Sequence, residues 1–77
     1  MTQPNTLAGS VAAEVRAQLA RRQLTGAALA ASIDRSEMYV SRRIRGDVPF
    51  DLVDLEQIAR FLGVAVADLL PAPASAA

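Results

Sequence analysis

Between Thr25 and Gly46 the sequence starts and stops a helix twice. Thr25 is a good N-cap for a segment running from Gly26 to Ser32 or Ile33, with Leu29 and Ile33 one turn apart. Asp34, a residue that tolerates left-handed backbone, is placed to close it. Ser36 then caps a second segment, Glu37 to Arg45, with Glu37 favourably set in the first turn and Gly46 at the usual stopping position. Two helices this short, joined by so tight a turn, cannot lie side by side and must cross steeply. The second has only Val40 and Ile44 as an apolar edge, so a narrow seam is buried and the rest faces out.

The flanking sequence supplies helices to carry that pair. Ser10 can cap a helix from Val11 to Gln23, whose stripe is Val11, Val15 and Leu19. After the turn Asp47-Val48-Pro49-Phe50, with Phe50 tucked under the core, Asp51 caps a fourth helix. Leu52, Leu55, Ile58, Ala59 and Leu62 repeat at helical spacing, and Gly63 ends the run. A last short helix spans Val64 to Leu70, with Val66, Leu69 and Leu70 inward, until Pro71 stops it. Residues 1–9 read as a flexible arm and 71–77 as a disordered tail, leaving 10–70 as the domain. The expected fold is all-α, a compact bundle of five short helices.

Composition narrows the chemistry. Of the 40 apolar residues among 77, sixteen are alanine, so the core is thin and suits close helix-on-helix packing. A core of this size leaves roughly 3–5 kcal/mol of net stability. Cysteine, histidine and lysine are all absent, which removes disulfides, zinc fingers, thiol and histidine catalysis, Schiff bases and the P-loop. An enzyme is therefore not expected, nor a cofactor or small-molecule ligand. Asp51, Asp54 and Glu56 invite a metal, but capping and a polar helix face account for them, and calcium loops need denser oxygen ligands. No apolar run is long enough to span a membrane, and MTQPNT lacks the layout of a signal peptide. With seven residues after Leu70, a sensing domain is not expected.

The formal net charge is zero, but it is unevenly spread. Residues 16–45 carry seven arginines against Asp34 and Glu37, while residues 46–77 carry Arg60 against Asp47, Asp51, Asp54, Glu56 and Asp68. The two stretches have net charges of +5 and −4, and a phosphate backbone senses the local field rather than the total.

The segments LTGAALAASI, SEMYVSRRIRG and DLEQIARFLGV, with ADLL following, resemble the phage repressor/Cro type of helix-turn-helix domain, the XRE family, over about residues 11–70. The resemblance implies a lambda-repressor-like fold in a phage or bacterial transcription regulator of the cytoplasm. It would place helix 37–45 in the major groove of a double-stranded operator, which is wide enough for one helix. By matched position Glu37, Met38, Ser41 and Arg42 would face base edges. Thr25, Gly26, Ser36, Tyr39, Arg43 and Arg45, with Arg35 and Arg21, would serve the phosphates. Asp34 and Arg35 stand where relatives usually carry glycine and an apolar residue. Gly26 stands where many carry a phosphate-binding glutamine, so that contact would fall to backbone amides and Thr25. Plainer roles exist for several of these: Glu37 as a first-turn acid, Met38 as a gap-filler, Tyr39 as a packing ring. Residues 64–70 offer a surface for a homodimer. A protein-interaction module, either antitoxin or adaptor, would instead use the acidic helix 51–62 and the apolar 64–70 surface.

Overall fold

The computed structural model describes residues 6–71, which form four α-helices and one 3-10 turn, with no strand among the described residues: α1 (Leu7–Arg21), α2 (Gly26–Ser32), α3 (Glu37–Ile44), α4 (Leu52–Leu62) and η1 (Val66–Leu69). The fifth α-helix expected over 64–70 is a single 3-10 turn instead. Pro71 forces Leu70 into extended backbone, and the Asp68 carboxylate accepts from the Ala65 amide at 3.0 Å, tightening the turn. None of these helices is long and apolar enough to cross a membrane.

All four α-helices begin and end by one device. Thr6, Thr25, Ser36 and Asp51 each take extended backbone and accept a hydrogen bond from the amide three residues on. At the other end Gln23, Asp34, Gly46 and Gly63 turn left-handed, with φ of 55°, 59°, 87° and 73°. The amide after each turns back onto a carbonyl five residues earlier: Leu24 to Leu19, Arg35 to Ala30, Asp47 to Arg42 and Val64 to Ala59. The otherwise orphaned terminal groups are thereby satisfied. The first helix accordingly departs from the expected span of 11–23. Thr6, not Ser10, is the cap, and Gln23 is the reversing residue rather than the last helical one. Of the supposed arm, residues 7–9 are helical and Gly9 is buried; residues 1–5, and the tail from 72 to 77, lie outside the described residues.

The core joins Val11, Val15 and Leu19 of α1 to Leu29, Ala30 and Ile33, then to Leu55, Ile58, Ala59, Leu62 and Leu69. Phe50 packs partly against it as expected. Leu52 and Leu70 do not turn inward. They are 78% and 41% exposed, because the inner face of α4 begins at Asp54 and Leu55 rather than at Leu52.

Helix α3 contributes one fully buried side chain, Val40, worth about 1.5–3 kcal/mol. Polar contacts do the rest. Asp54, expected on a solvated face of α4, is 0% exposed. Its Oδ2 accepts from the Tyr39 hydroxyl at 2.6 Å, while Arg43 Nε lies 4.0 Å from Oδ2 and Arg35 Nε 3.5 Å from Oδ1. Both guanidiniums lie over the Tyr39 ring, at 4.6 Å for Arg35 and 3.5 Å for Arg43. From the other side Arg16 donates to the Ile44 carbonyl at the end of α3. An acid in this setting costs several kcal/mol to desolvate and persists only because it is paired.

The hydrogen bond to Asp54, with burial and the carboxylate charge, pushes the Tyr39 phenol above its ordinary 10.0, against the opposing pull of Arg43 and Arg35. A proton held more tightly in the folded state stabilises it below the unfolded pKa, and that contribution fades as pH rises through the folded one. Tyr39→Phe should therefore cost about 1–3 kcal/mol in denaturant titrations at neutral pH. From about pH 10 upward the difference between the two proteins should shrink as pH passes through the raised phenol pKa. With one tyrosine and no lysine or cysteine, Tyr39 is the only side chain that titrates in this window. Wild-type stability that stays level relative to Tyr39→Phe across the phenol titration would contradict the assignment.

Candidate nucleic-acid interface

The α2–turn–α3 unit is built from Thr25 to Gly46 as the capping residues dictate. Asp34 takes the left-handed position that reverses the chain, and Ser36 restarts the helix by accepting from the Tyr39 amide at 3.0 Å. Arg35 follows the reversal and bends outward over Tyr39 toward Asp54 instead of entering the core. Between the start of α2 and the outer face of α3 lies an open concave surface of about 670 Å³. Glu37, Met38, Ser41, Arg42 and Arg45 form one wall, and Gly26 and Ala27 leave the other low, for lack of side-chain bulk.

The structure brings together the four residues expected to face base edges. Glu37, Met38, Ser41 and Arg42 are all exposed, Met38 at 70%. None of Glu37, Ser41 or Arg42 spends its side chain on a hydrogen bond or ion pair with another described residue. Thr25 and Ser36 stand exposed at the two helix starts. Each hydroxyl oxygen accepts from a backbone amide, Ala28 and Tyr39 respectively, which leaves its hydrogen available to donate.

The arginines divide into two groups. Arg45 pairs with Asp47 at 3.2 Å and Arg21 with Glu14 at 3.0 Å, both at the surface. Such pairs are worth about 0–1 kcal/mol and exchange readily for another anion. Arg43 is different: 18% of its side chain is exposed, its Nη1 donates to the Tyr39 carbonyl at 3.1 Å, and its charge faces Asp54. Arg35, 40% exposed, shares the same carboxylate. Tyr39, Arg43 and Arg35, expected on phosphates, are thus gathered round Asp54. Sequence reasoning missed Asp54 itself, because an acid three residues after a cap looks like ordinary first-turn chemistry. It also missed Arg16, whose grip on the C-terminal end of α3 crosses 28 positions of sequence.

No protein-family model and no curated protein matches the chain. Among solved structures it is similar to the clp gene regulator ClgR from C. glutamicum, at 28% identity and TM-score 0.77, with 83% of each chain covered. It is also similar to the hypothetical transcription factor NHTF from Neisseria, at 27% identity and TM-score 0.81, covering 92% of this chain and 82% of that one. The same fold makes up part of FeII HppE, at 24% identity and TM-score 0.77, covering 86% of this chain but 35% of the other. A fold shared so widely does not assign an activity; the exposed face of α3 has to do that. In its capped helices, its reversed turn at Asp34 and its projecting α3, the chain has a helix-turn-helix fold similar to that of ClgR and NHTF.

Proposed function

We propose that the protein is a sequence-specific double-stranded DNA-binding transcriptional regulator that inserts α3 into the major groove. One observation carries this: Glu37, Met38, Ser41 and Arg42 project together from α3, exposed and uncommitted among the described residues. Arg42 is the principal reader, since a guanidinium can donate two hydrogen bonds to one guanine. Glu37 suits a cytosine amino group, and Met38 suits a thymine methyl. Thr25, Ser36, the Gly26 backbone and Arg45 serve the flanking phosphates. Arg21 can join them by surrendering its surface pair, at a cost of no more than about 1 kcal/mol. Breaking a buried pair costs about 3–5 kcal/mol, so Arg43 stays where it is. The likeness to the regulator ClgR and the transcription factor NHTF supports this reading.

We also infer a homodimer, formed by a different set of residues from 64–70 alone. Leu69 is buried, and only Leu70 of that segment meets an apolar groove of about 330 Å³ together with Leu7, Phe50 and Leu52. Leu7 and Leu52 are 64% and 78% exposed, and patches of this kind mark contact surfaces. The groove shares no residue with the concave surface at α3, so both can be occupied at once. The acidic helix offers less to a basic partner than its sequence suggests, because Asp54 is withdrawn from solvent.

Two experiments check these readings. Arg42→Ala should weaken binding to a selected operator by about 1–3 kcal/mol while barely changing affinity for unrelated duplex. Arg45→Ala should weaken both and flatten the salt dependence by about 0.9 in log–log slope. Equal loss on both duplexes from Arg42→Ala would refute base reading by that residue. For the dimer, Leu52→Glu should turn a sedimenting dimer into a monomer at micromolar concentration. A dimer that survives the change places the interface elsewhere.

A further inference from the structure

The cluster under α3 holds more positive charge than it can neutralise. Asp54 has two carboxylate oxygens and faces two guanidiniums and one phenol, so one positive charge remains. Asp54 Oδ1 and Arg43 Nε are both buried with no hydrogen-bond partner, because each ion pair is longer than a hydrogen bond. The group is therefore held by charge and by stacking on Tyr39 rather than by a saturated network. Arg35 and Arg43 flank the reading face: Arg35 lies in the turn just before Ser36, and Arg43 follows Arg42. Released from Asp54, both would be free to turn toward an anion seated beside α3.

We propose that Asp54 is a positioning residue that withholds Arg35 and Arg43 from phosphate, and so limits the affinity of this surface for DNA of arbitrary sequence. This rests on the DNA-binding reading above and deepens it. Phosphate contacts add affinity without sequence information, whereas base contacts supply the discrimination. Releasing two arginines beside Arg42 would raise binding to every duplex alike and lower the ratio of operator to non-operator affinity. By anchoring them from α4, Asp54 leaves Arg42 as the one cation of α3 with no described partner. The same contacts fix the rotation of α3, because Tyr39 and Arg43 lie one turn apart on its inner side.

The test is the salt dependence of binding to non-operator duplex by the full chain. Arg43→Gln in an otherwise unchanged protein should leave the log–log slope at the wild-type value, since a withheld charge releases no counterion. Asp54→Asn, which keeps the shape and can still accept from Tyr39, should steepen the slope by about one to two units, at about 0.9 per phosphate gained. Asp54→Asn with Arg43→Gln should return about half of that change. A merely structural role for Asp54 would lower stability without steepening the slope. A slope that flattens by about 0.9 in Arg43→Gln overturns the proposal, as does a folded Asp54→Asn whose slope is unchanged. If Asp54→Asn fails to fold, the Arg43→Gln slope alone decides. A wild-type protein with no salt-dependent affinity for any duplex would instead refute DNA binding itself, and the two failures are thereby told apart.

Discussion

A carboxylate removed from water has to be neutralised where it stands, and that requirement settles how α3 sits. Asp54 lies on the inner face of α4, one residue before Leu55, where an apolar side chain would ordinarily continue the core. Its partners come from the turn and from α3, so the acid can be satisfied only if Tyr39 and Arg43 face inward. Once they do, helical spacing sends Glu37, Met38, Ser41 and Arg42 the other way. The outward face of α3 is thus a consequence of what the inner face must pair with. Val40 alone, the one apolar side chain that α3 buries fully, would not fix the rotation so firmly.

Polar anchoring suits a chain with so little apolar bulk. Alanine dominates its apolar residues, and the helices are short enough that their ends are a large share of their length. Satisfying those ends consumes many of the small polar residues: each helix is opened by a threonine, serine or aspartate and closed by a left-handed residue. Two of those caps, Thr25 and Ser36, are exposed and directly precede Gly26 and Glu37, which line the concave surface, so one hydroxyl can serve both the helix start and a ligand oxygen.

Most of this architecture was legible in the sequence, and the exceptions have physical reasons. The caps at Thr25, Ser36 and Asp51 and the stops at Asp34, Gly46 and Gly63 follow local rules that act over three to five residues, and they stand where those rules put them. Thr6 was obscured by Ser10, which offers the same capping chemistry four residues later. Gln23 carries no hint of left-handed backbone in its side chain; the reversal is imposed by Leu24, which packs against the core. The four outward residues of α3 were legible because that helix has so few apolar positions. The fate of Arg35, Tyr39 and Arg43 was not, because it depends on a carboxylate 11 to 19 positions away that local patterning treats as solvated.

The central claim is that the outer face of α3 reads DNA, flanked by phosphate contacts at the starts of α2 and α3. Amide chemical shifts followed by NMR during titration with a duplex selected from a random pool measure this residue by residue. The account predicts the largest changes at Glu37, Met38, Ser41 and Arg42, with smaller ones at Thr25, Gly26 and Ser36. Leu7, Leu52 and Leu70 should stay unmoved. Shifts concentrated around those leucines, with α3 silent, would contradict it.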